Sequence, residues 1–127
     1  MIAIDTSAIM AILLNEPQSN ECIDALERED EIVMSAATLV ETLIVAARRN
    51  IGAEAAQLLD GLGVEIVPVT AAVARRVADA YEVWGKGIHP AGLNFGDCFA
   101  YGVARDNGCP LLFVGDDFNR TDIAGVL

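Results

Sequence analysis

Five acidic side chains stand at positions where a chain of alternating strands and helices gathers its chemistry: Asp5, Glu41, Asp97, Asp116 and Asp117. Asp5 directly follows the apolar run Met1–Ile4, and Asp116 and Asp117 follow Leu111–Val114. Glu41 falls in the first turns of the helical stretch after Glu31–Ser35, and Asp97 in the first turn of the helix before Leu111. Carboxylates grouped without Cys or His form a hard-oxygen donor set, suited to Mg²⁺ or Mn²⁺ rather than to zinc or copper. Several carboxylates packed together do not all stay ionised unless a cation accompanies them. Each also has a plainer role when taken singly. Asp5 is a good helix N-cap. Asn94 and Asp97 have the spacing of a capping box. Glu41 shares a partly polar helical stripe with Thr38, Thr42, Val45, Arg48 and Arg49, and Asp is common in turns such as the one at 116–117. What gives them weight is their joint placement at one edge of the expected sheet.

The elements that would position them read as follows. Strands are expected at Met1–Ile4, Glu31–Ser35, Val64–Val69 and Leu111–Val114, with a possible short edge strand near Ile123–Leu127. Helices are expected over Ala8–Leu14, Pro17–Arg28, Ala37–Asn50, Ala53–Leu62, Thr70 to about Trp84, and Asn94–Asn107. Short apolar strands separated by helices predict an α/β fold, three layers α/β/α around a central, mainly parallel sheet. In such sheets the site lies beyond the carboxyl ends of the strands.

The chain has 127 residues, enough for one domain over 1–127. Hydrophobic residues make up 54%, which excludes a disordered chain. No apolar run reaches the roughly 18–20 residues of a membrane span. The apolar N-terminus is interrupted by Asp5 and lacks a preceding Lys or Arg, so a secretory signal is not expected. Three scattered cysteines, Cys22, Cys98 and Cys109, fit a reduced cytoplasmic protein. With 8 Lys and Arg against 19 Asp and Glu, the net charge is −11. That balance opposes nonspecific binding to nucleic acid, which relies on cationic side chains.

Other groups carry less. His89 lies in the Gly85–Gly92 loop with Lys86 and reads as a loop histidine. Arg48-Arg49 and Arg75-Arg76 read as solvated helix surface, and Tyr81, Trp84, Phe95, Phe99 and Tyr101 as core at helical spacing. No P-loop, GxGxxG or GxSxG motif is present. A haloacid-dehalogenase phosphatase would want a second Asp where Ser7 stands. A phosphoacceptor receiver domain would want a lysine near the end of the chain.

Several peptides together are more specific. Ile2-Ala3-Ile4-Asp5-Thr6-Ser7-Ala8, Ser35-Ala36-Ala37-Thr38-Leu39-Val40-Glu41, Leu93-Asn94-Phe95-Gly96-Asp97-Cys98-Phe99-Ala100-Tyr101, Leu111-Leu112-Phe113-Val114-Gly115-Asp116-Asp117-Phe118 and Thr121-Asp122-Ile123 span the chain. The sequence resembles the PIN-domain ribonucleases, and among them the VapC toxins of VapBC toxin–antitoxin pairs. The resemblance implies a toxin that cleaves RNA with Mg²⁺ or Mn²⁺, held by Asp5, Glu41, Asp97 and one of Asp116 or Asp117. Asp116 is favoured because it is nearer the strand end. It also implies that Thr6 holds Asp5 by a hydrogen bond, that Asn94 shapes the approach to Asp97, that the protein forms a homodimer, and that a VapB-like antitoxin neutralises it. Arg48, Arg49, Arg75, Arg76, Lys86 and Arg105 are then candidates for tracking the RNA backbone. The alternative is a catalytically weak PIN-like module that binds RNA or protein.

Overall fold

The computed structural model describes residues 1–127. Its elements run β1 (Ile2–Ile4), α1 (Thr6–Leu13), α2 (Ser19–Glu27), β2 (Ile32–Ser35), α3 (Ala36–Arg48), α4 (Gly52–Leu62), β3 (Glu65–Val67), α5 (Ala71–Trp84), α6 (Phe95–Asn107) and β4 (Leu111–Leu112). The four strands form one parallel sheet in the order β3-β2-β1-β4. Alternation along the strands splits the apolar side chains between two cores. Ala3, Val33 and Leu111 point to the layer of α5 and α6, where Val77, Ala80, Cys98 and Tyr101 meet them. Ile2, Ile4, Ile32, Met34 and Leu112 point to the opposite layer and pack on Ala8, Ile9, Cys22, Leu26 and Leu59. This is the three-layer α/β/α arrangement that the strand and helix pattern implies.

The helix starts follow from local chemistry. Asp5, Ser35, Thr70 and Asn94 each accept a backbone N–H as N-cap. Gly63 and Gly108 end α4 and α6 in the left-handed conformation, which glycine adopts at little cost. The observed elements differ from the expected ones chiefly at their ends. α1 starts at Thr6 rather than Ala8, because Asp5 caps it directly. β3 is shorter than Val64–Val69 and largely exposed, as an edge strand is. The tail does not form a strand. Leu111 N–H donates to Ala124 O at 2.9 Å and Val126 N–H to Leu111 O at 3.1 Å, a single parallel bridge beside β4.

The chain builds β1, β2 and β3 to one side and then places β4 on the other side of β1. The strand order therefore reverses between β1 and β4, the place where parallel sheets open a crevice at their carboxyl ends. Asp5 leaves β1 and the Gly115-Asp116-Asp117 turn follows β4 at that crevice.

Candidate active site

Asp5 is buried at 6% exposure and fixed by its neighbour Ser7. Its Oδ2 accepts Ser7 N–H at 3.0 Å and the Ser7 hydroxyl at 2.6 Å, while Ser7 Oγ accepts Val114 N–H at 3.0 Å. Ser7 thus ties the end of β1 to the segment after β4. Sequence reasoning gave this tether to Thr6; the structure gives it to Ser7, because the first turn of α1 points Thr6 the other way, toward α3. An Asp-x-Ser step at a helix start is the sequence signal for such a bond. Ser7→Ala strands Val114 N–H and loosens Asp5, and is expected to cost about 1–2 kcal/mol, read as a lower urea midpoint at unchanged slope.

Thr6 instead serves Glu41. Its hydroxyl donates to Glu41 Oε1 at 2.6 Å and lies 2.9 Å from Thr42 Oγ1, which donates to Thr38 O at 2.9 Å. Thr6, Thr38 and Thr42 are all buried where α1 meets α3, and Thr38 Oγ1 has no hydrogen-bond partner. The partly polar stripe therefore divides. Thr38 and Thr42 face the protein, while Arg48 and Arg49 face solvent.

Asp97 is a helix cap whose carboxyl also feels the other acids. Asp97 N–H donates to Asn94 Oδ1 at 2.8 Å, and Asn94 N–H donates back to Asp97 Oδ2 at 3.0 Å. That reciprocal pair fixes the first turn of α6 and stands Asp97 in the crevice. Burial pushes its carboxyl up to about 6; the Asn94 N–H opposes this, and the charges of Asp117, Asp5 and Glu41 add to it. Burial also raises the Asp5 carboxyl, against the two bonds from Ser7 and with the charges of Glu41 and Asp117. The charges of Glu41 and Asp117 thus bear on both Asp5 and Asp97. Asp116, favoured from the sequence for its nearness to the strand, accepts Asn119 Nδ2 at 2.9 Å within its own turn. Asp117 lies one residue further along the turn, and its charge reaches Asp5 and Asp97.

Each anchored carboxylate spends one oxygen on the protein and keeps the other free of protein hydrogen bonds: Asp5 Oδ1, Glu41 Oε2 and Asp97 Oδ1. This donor set suits a hard divalent cation in type and charge. As the side chains stand, no three acids are drawn together closely enough to hold one ion. A cation between them would offset the repulsion of these like charges.

The remaining candidates separate clearly. Arg76 makes two bonds to Asp106, at 3.0 and 2.9 Å, and Arg105 pairs with Asp122 at 3.2 Å. Both are engaged on the α5–α6 side, whereas Arg48, Arg49, Arg75 and Lys86 are exposed without an ion pair. His89 Nδ1 accepts Ala91 N–H at 3.0 Å and its ring meets Trp84 edge-on, so it is the loop histidine expected. Trp84 Nε1–H donates to Tyr101 Oη, which donates to Asp122 Oδ1 at 2.7 Å, linking α5, α6 and the tail. Two of the five aromatics expected in the core are outside it. Phe95 is 76% exposed at the start of α6, and Tyr81 is 37% exposed. Phe95 lies between two apolar hollows. One, of about 470 Å³, is lined by Val69, Val77, Tyr81 and Phe99; the other, of about 280 Å³, by Val40, Ile44, Glu41 and Gly96.

Comparison with known proteins agrees with this fold. The family model described as "PIN domain" matches residues 2–124. Ribonuclease VapC30 of Mycobacterium tuberculosis is 44% identical over 128 residues, covering 98% of both chains. The crystal structure of Mycobacterium tuberculosis VapC20, titled a sarcin–ricin loop cleaving toxin, superposes with a TM-score of 0.79 at 18% identity, over 98% of this chain and 97% of that one. A toxin–antitoxin complex from Klebsiella pneumoniae gives a TM-score of 0.73 at 18% identity, over 100% of this chain and 97% of that one. The fold, the carboxylate crevice and the full-length likeness to VapC30 lead to one assignment: this chain belongs to the PIN-domain family and, within it, to the VapC ribonucleases.

Proposed function

We propose that the protein is a divalent-metal-dependent endoribonuclease acting as the toxin of a type II toxin–antitoxin pair. The observation that carries this reading is the placement of Asp5 at the end of β1, Asp97 in the capping turn of α6 and Glu41 on the Thr6 hydroxyl, with the Asp117 charge reaching Asp5 and Asp97. The name of its 44%-identical relative, a ribonuclease, supports the same reaction. All four positions are filled, which favours an enzyme over a binding module. Bound Mg²⁺ or Mn²⁺ would supply positive charge to the scissile phosphate and acidify a water molecule. Asp5 and Asp97 would hold the ion through their free oxygens, with Glu41 and Asp117 completing the shell. Ser7 keeps Asp5 oriented, Thr6 keeps Glu41 oriented, and the Asn94 cap keeps Asp97 oriented. Of the candidate cations, Arg48, Arg49, Arg75 and Lys86 are unpaired and would follow the RNA backbone.

The partners follow from the same surface. A VapB-like antitoxin segment with apolar side chains fits the hollow of Val69, Tyr81, Phe95 and Phe99. A basic residue on that segment, best an Arg, would meet the carboxylates. A homodimer would draw on the exposed apolar belt of Val40, Ile44 and Phe95. Three free, buried cysteines accord with a reducing, cytoplasmic setting. The test is direct. The purified protein, freed of antitoxin, is expected to cleave structured RNA with millimolar Mg²⁺ or Mn²⁺ and to stop in EDTA. An antitoxin segment should block cleavage, and the same segment stripped of its Arg and Lys should not. Cleavage that persists in EDTA overturns the metal-dependent reading.

A further inference from the structure

We propose that Gly96 is a positioning residue for Glu41, supplying by its missing side chain the slot in which one carboxylate oxygen lies while Thr6 holds the other. The proposal rests on the ribonuclease reading for its consequence, and on geometry for its basis. Thr6 Oγ1 donates to Glu41 Oε1 at 2.6 Å, and the buried Thr42 hydroxyl backs Thr6 at 2.9 Å. That fixes one side of the carboxylate. On the other side, a Cβ placed on residue 96 would overlap Glu41 Oε2, and would stand 3.2 Å from Glu41 Cδ and 3.5 Å from Asn94 Oδ1.

The backbone gives no reason for glycine at this position. Five glycines have positive φ, namely Gly63, Gly87, Gly92, Gly108 and Gly115, and Gly96 is not one of them. It sits in the first turn of α6, where glycine is a poor helix residue and alanine a better one. Space for Glu41 is the property that glycine alone provides there. Any side chain at 96 forces the carboxylate to swing from the crevice or to break its bond with Thr6. Gly96 is thus a steric determinant of where the Glu41 charge stands relative to Asp97, the next residue along the chain.

The experiment compares the parent protein with Gly96→Ala, Glu41→Gln and the double variant. Gly96→Ala is expected to melt no lower than the parent, yet to cleave RNA with kcat down about tenfold to a hundredfold, the range that a misplacement near 1 Å produces. KM for RNA should change little. In the Glu41→Gln background the same substitution should add less than about twofold, because residues acting through one another are not additive. A crystal structure of Gly96→Ala should show Glu41 in another rotamer or parted from Thr6. Cleavage equal to the parent's, a full multiplicative loss in the double variant, a lowered melting temperature accounting for the loss, or an unmoved Glu41 would each overturn the proposal. A parent protein that cleaves no RNA overturns the ribonuclease reading instead, and the crystal structure of the variant still decides the slot.

Discussion

Asp5→Asn should lower RNA cleavage by about a thousandfold or more while leaving the protein folded. Loss of a charged ligand from a metal-assisted phosphodiester site removes several kcal/mol of transition-state stabilisation, and each 1.4 kcal/mol is about tenfold in rate. The structure explains why the fold should survive. Asn serves as an N-cap about as well as Asp, and its Oδ1 can take over the acceptor role toward Ser7 N–H. The substitution also removes a charge that burial already disfavours, as the raised Asp5 carboxyl shows. The variant should therefore melt at or above the parent in EDTA, with an unchanged circular dichroism spectrum. A single-turnover cleavage assay beside a thermal scan separates lost chemistry from lost structure. If Asp5→Asn cleaves RNA normally, Asp5 is a helix cap and the site lies elsewhere.

Asp97→Asn should reverse its stability relative to the parent when Mg²⁺ is added. In the folded protein the Asp97 carboxyl titrates near 6, against an ordinary value of 3.8. The folded state therefore binds this proton more tightly than the unfolded chain does. Stability falls as pH rises from about 4 to about 6, and above that the penalty stays constant. Part of Asp97 meets solvent, so the penalty is about 1–2 kcal/mol rather than the full shift converted. Asn carries no such charge and still accepts Asn94 N–H. In EDTA at pH 7 the variant should melt higher than the parent, and at pH 4 the advantage should vanish. Mg²⁺ then stabilises the parent by RT ln(1 + [L]/Kd), about 2.7 kcal/mol at a hundred times Kd, and the variant by less because it has lost a ligand. Thermal scans at both pH values, with EDTA and with millimolar MgCl₂, test this. Curves that shift in parallel on adding Mg²⁺ would leave Asp97 as a cap alone.

Much of the fold was readable because its signals are local. Asp5, Ser35, Thr70 and Asn94 cap helices through atoms two or three residues away, and Gly63 and Gly108 end them by their own backbone conformation. Apolar strands between those helices leave few arrangements other than a covered parallel sheet. The positions of Asp5 and Asp97 were legible for the same reason: a residue just beyond a strand or at a helix start has little freedom in where it goes, whereas Glu41 lies in the second turn of α3.

What depended on distant contacts was not readable. Asp116 and Asp117 are adjacent acids in one turn, yet Asp116 is tied to Asn119 while it is the Asp117 charge that reaches Asp5 and Asp97. Thr6 and Ser7 are adjacent hydroxyls in sequence, yet helical rotation sends one to Glu41 and the other to Asp5 and Val114. Phe95 has the spacing of a core aromatic, but its position at the helix start leaves it uncovered by α3 and α5. Gly96 is mute as a letter, because its role is the space it leaves for a side chain 55 positions earlier in the chain. The sequence by itself determined the elements, the parallel α/β class and the acids at the crevice, since caps, periodicity and strand ends act within a few residues. The tertiary structure alone decided which oxygen each acid keeps free and what holds it in place, because those are set by packing between α1, α3, α6 and the turn after β4.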